Sequence, residues 1–148
     1  MGQASVPSTK DVSSAALAII RAAERVRSRA SALLEPYDLT PQQYHVLRIL
    51  RAAHPEPLPT LEIGSRMIEQ CPGVTRILDR LVEKGLVRRE RGEDDRRQVH
   101  CSLTPEGLSV LEAARDAIQL ANREVLGHFT SAEVLALVAL LERIDPAR

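Results

Sequence analysis

Apolar side chains recur along this 148-residue chain at intervals of three and four for most of its length, and at intervals of two in one short stretch. Near the start, Val12, Ala16, Ile19, Ala23, Val26, Ala30 and Leu33 are separated by gaps of 4, 3, 4, 3, 4 and 3. That is an a/d stripe on a helix ending before Pro36, and its small and branched seam suits packing against a second helix. Residues 1–10 are polar and are expected to fray. Thr40-Pro41-Gln42-Gln43 then starts another helix: Thr40 can cap, Pro41 needs no amide donor at the first helical position, and Gln43 can complete a capping box. This helix is expected to reach about Ala53, with Val46, Leu47 and Leu50 buried and Tyr44 and Ile49 on the flanks. The run from His54 to Pro59 stops it and reads as a stiff, extended connector.

Thr60 is expected to cap a short helix whose inner side carries Leu61, Ile63 and Met67. A turn follows at about residues 68–72. In the next helix Val74, Ile77, Leu78 and Leu81 form the buried stripe, and Thr75, Arg76, Asp79, Arg80 and Glu83 turn outward. Gly85 supplies the left-handed residue that ends it. Leu86-Val87 and residues 98–103 read as two short strands, because Val99, Cys101 and Leu103 alternate with His100 and Ser102. The charged stretch 91–97, containing Gly92, is the tip between them. Thr104-Pro105-Glu106 opens a long helix carrying Leu108, Leu111, Ala114, Ile118, Ala121 and Val125. Phe129 and Thr130 break it, and Thr130-Ser-Ala-Glu133 is a capping box for a final helix with Val134, Leu137, Leu140, Leu141 and Ile144. The order predicts a mainly α fold with a small β-wing (α+β). A winged helix–turn–helix spans residues 40–107, and helices at 12–35 and 108–146 are expected to dimerise, all within a single domain of 1–148.

Composition narrows the function. Aromatic residues make up only 2% of the chain, so the core must be aliphatic. No apolar run is long enough to span a membrane, and the N-terminus has no apolar core of the signal-peptide kind, so the expected location is cytoplasmic. Cys71 and Cys101 are too few for a disulfide framework. The four histidines form no metal-ligand cluster, and no phosphate loop, HExxH, GxSxG or CxxC is present, so neither enzyme nor cofactor is expected. Net charge is zero, which disfavours a uniformly basic nucleic-acid binder. Residues 1–75 carry 8 basic and 7 acidic side chains, 76–97 carry 8 and 6, and 98–148 carry 4 and 7. Any DNA footprint must therefore be a local arrangement of arginines.

Asp95-Arg96-Arg97, followed at fixed spacing by Leu103-Thr104 and Gly107, resembles the DxR wing motif and LT..G helix start of the MarR family of bacterial transcriptional regulators. Val74-Thr-Arg-Ile with Leu81, then Lys84-Gly-Leu-Val-Arg88, is similar to that family's recognition helix and following strand. The resemblance covers about residues 39–111. It implies a homodimer with interdigitated terminal helices that binds a pseudo-palindromic double-stranded DNA operator, usually as a repressor. It also implies relief by a small anionic or phenolic ligand, or by thiol oxidation. The chain departs from the family pattern in the turn, where Ile68 stands in a position often held by Gly, and in Gly64, where Ala is usual.

Arg76 and Arg80, four apart on the outer helix face, can take guanine edges bidentately or clamp phosphates, and Thr75 can meet a base edge. Solvation of that face, with Asp79 and Glu83 pairing the arginines, is the alternative. Arg96 and Arg97 at the wing are candidates for the minor groove; by resemblance, Asp95 orients the wing and Arg97 contacts DNA or braces the fold. Arg88, Arg89 and Arg91 are candidates for backbone contacts. Arg21, Arg25, Tyr37, Tyr44 and His45 are candidates for an effector pocket between the dimer helices and the winged region. Cys71 is a candidate redox site if helix amides lower its thiol pKa; a small, half-buried structural residue is the alternative. Cys101 lies on the apolar phase of its strand and is expected in the core. Two rival functions remain: a protein-interaction module that has lost DNA affinity, and a thiol-sensing regulator acting through Cys71.

Overall fold

The computed structural model describes residues 6–67, 73–92 and 98–144. Six α-helices run in the order α1 (Thr9–Leu34), α2 (Pro41–Ala53), α3 (Thr60–Arg66), α4 (Val74–Glu83), α5 (Pro105–Leu126) and α6 (Ser131–Glu142). A short 3-10 turn, Glu35–Tyr37, separates α1 from α2. Three strands, β1 (Leu58–Pro59), β2 (Val87–Arg91) and β3 (Val99–Leu103), form an antiparallel sheet in the order β1-β3-β2.

Local chemistry sets most helix ends. Ser8 caps α1 by accepting from the Asp11 amide at 3.2 Å, so helix begins inside the stretch expected to fray. Thr40 and Gln43 close the expected capping box at α2, and Thr130 and Glu133 do the same at α6. The Glu133 carboxyl is held below the usual carboxylate range, chiefly by the Thr130 backbone amide it accepts from. Helix α4 ends in a Schellman motif: Leu86 donates to the Leu81 carbonyl and Gly85 to Val82, with Gly85 at φ 71°.

Four expectations are corrected. Thr60 does not cap α3; Pro59 holds the cap position and the Thr60 hydroxyl donates to the Val99 carbonyl instead. Leu61 is not on the inner face but 88% exposed, while Ile63 and Met67 are buried. Residues two apart lie about 200° around a helix, so Leu61 cannot share the face of Ile63. The connector also yields a strand: Leu58 pairs with Cys101 and Pro59 with His100. Proline is tolerated there because β1 is a sheet edge. Strand β2 starts one residue after Leu86 and extends to Arg91 despite its charges, because cross-strand hydrogen bonds rather than burial carry it.

The core gathers Leu34, Val46, Leu47, Leu50, Ile63, Leu78, Leu81 and Cys101, all at 1% exposure or less. Helices α1 and α5 pack along each other, with Ala30, Ala114 and Ala121 buried. Helix α5 packs against α2 and meets the winged part most closely at its own start. The Thr104 hydroxyl accepts from the Gly107 amide (3.0 Å) and donates to the Gly85 carbonyl (2.7 Å), and the Thr104 amide donates to Leu86 (3.1 Å). A Cβ on Gly107 would lie 2.1 Å from the Leu86 carbonyl oxygen. By contrast, a Cβ on Gly64 would meet Val74 at an ordinary 3.7 Å.

The two glycines therefore predict opposite results. Gly107→Ala is expected to destabilise the fold by about 3 kcal/mol, because backbone must move to admit the methyl group. Gly64→Ala is expected to stabilise it by about 0.5–1 kcal/mol through helix propensity. Urea unfolding of both variants checks the contrast, and equal effects would refute it.

Candidate nucleic-acid interface

Helix α4 is held by one side and presents the other. Leu78 and Leu81 are fully buried and Val74 and Ile77 half-buried, while Thr75, Arg76 and Arg80 are exposed. Arg80 contacts Glu83 one turn on at 2.8 Å, with both side chains more than 60% exposed. An ion pair so exposed holds the guanidinium weakly. Arg76 has no ion pair among the described residues. The alternative, in which Asp79 and Glu83 pair both arginines, is thus only half met: Asp79 is engaged by Arg89 of β2 instead.

Strand alternation sorts the arginines of the wing. Arg88 and Glu90 share one face and pair at 2.8 Å. Val87 and Arg89 share the other, toward α4. The Arg89 guanidinium is fixed to the Asp79 carboxylate and, at 3.1 Å, to the Thr75 carbonyl. Its place opposite buried Cys101 in the ladder is a signal that period-two reading could have caught. Arg91 is exposed at the end of the strand. Asp95, Arg96 and Arg97 lie outside the described residues, as does Cys71. Beside the N-terminal half of α4 is a crevice of about 570 Å³ bordered by Leu61, Thr75, Arg89 and Val99. Leu61 and Val99 expose apolar surface at its rim, and neither is among the site residues expected from the sequence.

The five pocket candidates do not converge. A cleft of about 940 Å³ opens between α1 and α2, bordered by Glu24, Arg27, Asp38, Gln43, His45 and Lys84. Of the five, only His45 lines it, and its Nε2 is buried without a hydrogen-bond partner among the described residues. Arg21 lies one turn beyond Glu24 along α1, and Arg25 is rotated about 100° from the Glu24 face. Tyr37 packs half-buried against the core, and Tyr44 is a core residue, its phenol pKa raised by burial against the opposing pull of Arg48 and Arg115.

Two polar ties unforeseen in the sequence frame this region. Lys84, at the C-cap of α4, donates to the Asp38 carbonyl, pairs with the Asp38 carboxylate at 3.0 Å, and reaches Gln43 Oε1 at 3.3 Å. Asp38 adopts a left-handed φ of 51° at the junction before α2. Arg29 of α1 pairs with Glu124 of α5, raising the guanidinium pKa and lowering that of the carboxyl, each chiefly through their shared hydrogen bond.

Comparison with known proteins agrees with this geometry. The MarR family profile matches residues 39–99. The homoprotocatechuate degradative operon repressor of Escherichia coli is 30% identical over 129 residues, covering 85% of this chain and 84% of that protein. The multiple antibiotic resistance protein MarR of Salmonella typhimurium is 32% identical over 114 residues, covering 76% and 78%. A crystal structure of a mutant MarR from E. coli complexed with operator DNA superposes with a TM-score of 0.82 at 26% identity, covering 94% of this chain and 99% of that one. The chain belongs to the MarR family: it is a winged-helix transcriptional regulator of the DNA-binding repressor type, and not an enzyme.

Proposed function

We propose that the protein is a cytoplasmic homodimeric repressor that binds a pseudo-palindromic operator and is released by a small ligand. The observation that carries the DNA-reading assignment is the two-sidedness of α4: a stripe locked in the core, and Thr75, Arg76 and Arg80 on the opposite face. The similar MarR of E. coli has been crystallised with operator DNA. Helix α4 of each protomer enters the major groove of one half-site, where Arg76 and Arg80 take base edges or phosphates. Arg88 and Arg91, with Arg96 and Arg97 of the wing, serve the flanking backbone and minor groove, and Asp95 orients the wing.

The homodimer rests on apolar surface that one chain leaves uncovered. No residue of α6 is buried; its Leu135 and Leu140 are 70% and 58% exposed, and Ile144 just beyond its end is 65% exposed. Val12, Leu17, Ile19 and Ile20 of α1 are exposed as well. A helix apolar on all sides needs a partner to cover it. A second protomer provides one and places two α4 helices on one duplex. The cleft beside Lys84 is the place for an anionic or phenolic effector, because its wall combines residues of α1 with Lys84, which ties the end of α4 to the junction before α2.

Selection of genomic fragments at near-physiological salt is expected to recover an inverted repeat. Arg76→Ala and Arg80→Ala should each weaken binding to it by about 1–3 kcal/mol and relax its sequence preference. Unaltered preference in the double variant removes the base-reading role. Binding should fall steeply with rising salt; a flat response favours the protein-interaction module.

Sedimentation is expected to give twice the chain mass. Leu137→Glu with Leu141→Glu should yield a monomer whose operator affinity is about 100-fold lower, since the second half-site contact is lost. A variant that stays dimeric refutes the placement of the interface on α6.

A further inference from the structure

We propose that Arg89 is a positioning residue: it aims the DNA-reading helix by fastening α4 to the wing strand, rather than contributing a phosphate contact. The proposal rests on the DNA-binding reading above and gives it a structural determinant of specificity. Three observations converge on it. The side chain points to the α4 face of β2, in phase with buried Val87 and out of phase with exposed Arg88. It is 27% exposed, against 66% for Arg88 and 64% for Arg80. Its two terminal nitrogens are both committed within the protein, one to the Asp79 carboxylate and one to the Thr75 carbonyl at 3.1 Å.

The geometry of the fork explains what the contact does. Thr75 and Asp79 are one helical turn apart, so the planar guanidinium grips a full turn of α4 at two points. Two contacts fix rotation of the helix about its own axis, which a single point charge cannot do. The gripped turn contains Arg76 and directly precedes Arg80. The far end of the lever is also fixed: Arg89 pairs with fully buried Cys101 in the ladder, and β3 is flanked by β1 on its other edge. A rotation of α4 would carry Arg76 and Arg80 away from their base edges while leaving non-specific attraction to phosphate intact. Asp79, an acidic residue on the helix that reads an anionic polymer, thereby acquires a reason to be there.

The two readings of Arg89 predict opposite behaviour for its partner. Arg89→Ala, Asp79→Ala and the double variant are compared with the unaltered full chain for binding to the recovered operator and to a scrambled duplex of equal length, across a salt series. Positioning predicts that each single variant loses roughly 10-fold in operator affinity, with scrambled-duplex binding nearly unchanged, and that the double variant is no worse than either. A phosphate contact predicts that Arg89→Ala weakens both duplexes alike and lowers the salt slope by about one unit per protomer, while Asp79→Ala tightens both. That second pattern overturns the proposal. Asp79→Asn serves where the alanine variants fold poorly.

A DNA-free measurement separates this claim from the reading it rests on. Amide hydrogen exchange across α4 and β2 in the free protein should quicken in both elements in either single variant, and unchanged exchange overturns the brace. If the unaltered chain selects no sequence at all while exchange responds as expected, the brace stands and the operator assignment alone has failed.

Discussion

The close passage of Gly107 over the Leu86 carbonyl is the constraint on which the arrangement of the molecule depends. Helix α4 must stop abruptly so that the chain can turn into β2, and the Schellman turn through Gly85 does this within two residues. That turn leaves the carbonyls of Gly85 and Leu86 facing the start of α5, where Thr104 satisfies both. The approach is possible only because Gly107 has no side chain. The LT..G motif is therefore not a signature of DNA contact. It is the joint that sets the direction of α5 relative to α4, with Thr104 as cap and bridge and Gly107 as the clearance.

Around this joint, charged side chains orient elements more than they stabilise them. Lys84 joins the end of α4 to Asp38 and Gln43 at the base of α2. Arg29 joins α1 to α5, and Arg89 joins β2 to α4. Exposed or half-exposed pairs of this kind contribute little net free energy, since Coulomb attraction is offset by lost hydration and side-chain freedom. Each nevertheless links two different elements, so its effect is on angle and register. Gln43 shows the economy of the arrangement: one carbonyl oxygen both completes the α2 capping box and receives Lys84.

Helix ends were legible because capping is local chemistry. Thr40 with Gln43, Thr130 with Glu133, Thr104 and Gly85 each act within four residues, and sequence spacing alone exposes them. The long stripes of α2, α4 and α5 were legible for the same reason of period. What escaped depended on distant partners. Strand β1 exists because β3 offers it an edge; nothing within the proline-rich connector announces a strand. Leu61 is apolar and so reads as inward, although its two-residue offset from Ile63 forbids a shared face. Residue type alone does not define the pocket: burial takes Tyr44 into the core, and helix rotation carries Arg25 off the cleft face. Arg88 and Arg89 looked equivalent as a basic pair, yet strand alternation places them on opposite faces.

A net charge of zero weighed against DNA binding, but the sum hides how the charges are spent. Within residues 76–92, Asp79 is paired with Arg89, Glu83 with Arg80, and Glu90 with Arg88. The Arg89 pair is half-buried, whereas the Arg80 and Arg88 pairs are largely exposed. Water and salt screen those two weakly held pairs, so a phosphate at closer range can draw either arginine away from its glutamate. Arg76 and Arg91 have no acidic partner among the described residues. The face of α4 and the edge of the wing can therefore present up to four guanidinium groups to an anionic duplex, while the acidic surplus lies in residues 98–148. A neutral chain can hold such an interface because screening acts over about 8–10 Å, so local arrangement decides the interaction and the overall sum does not.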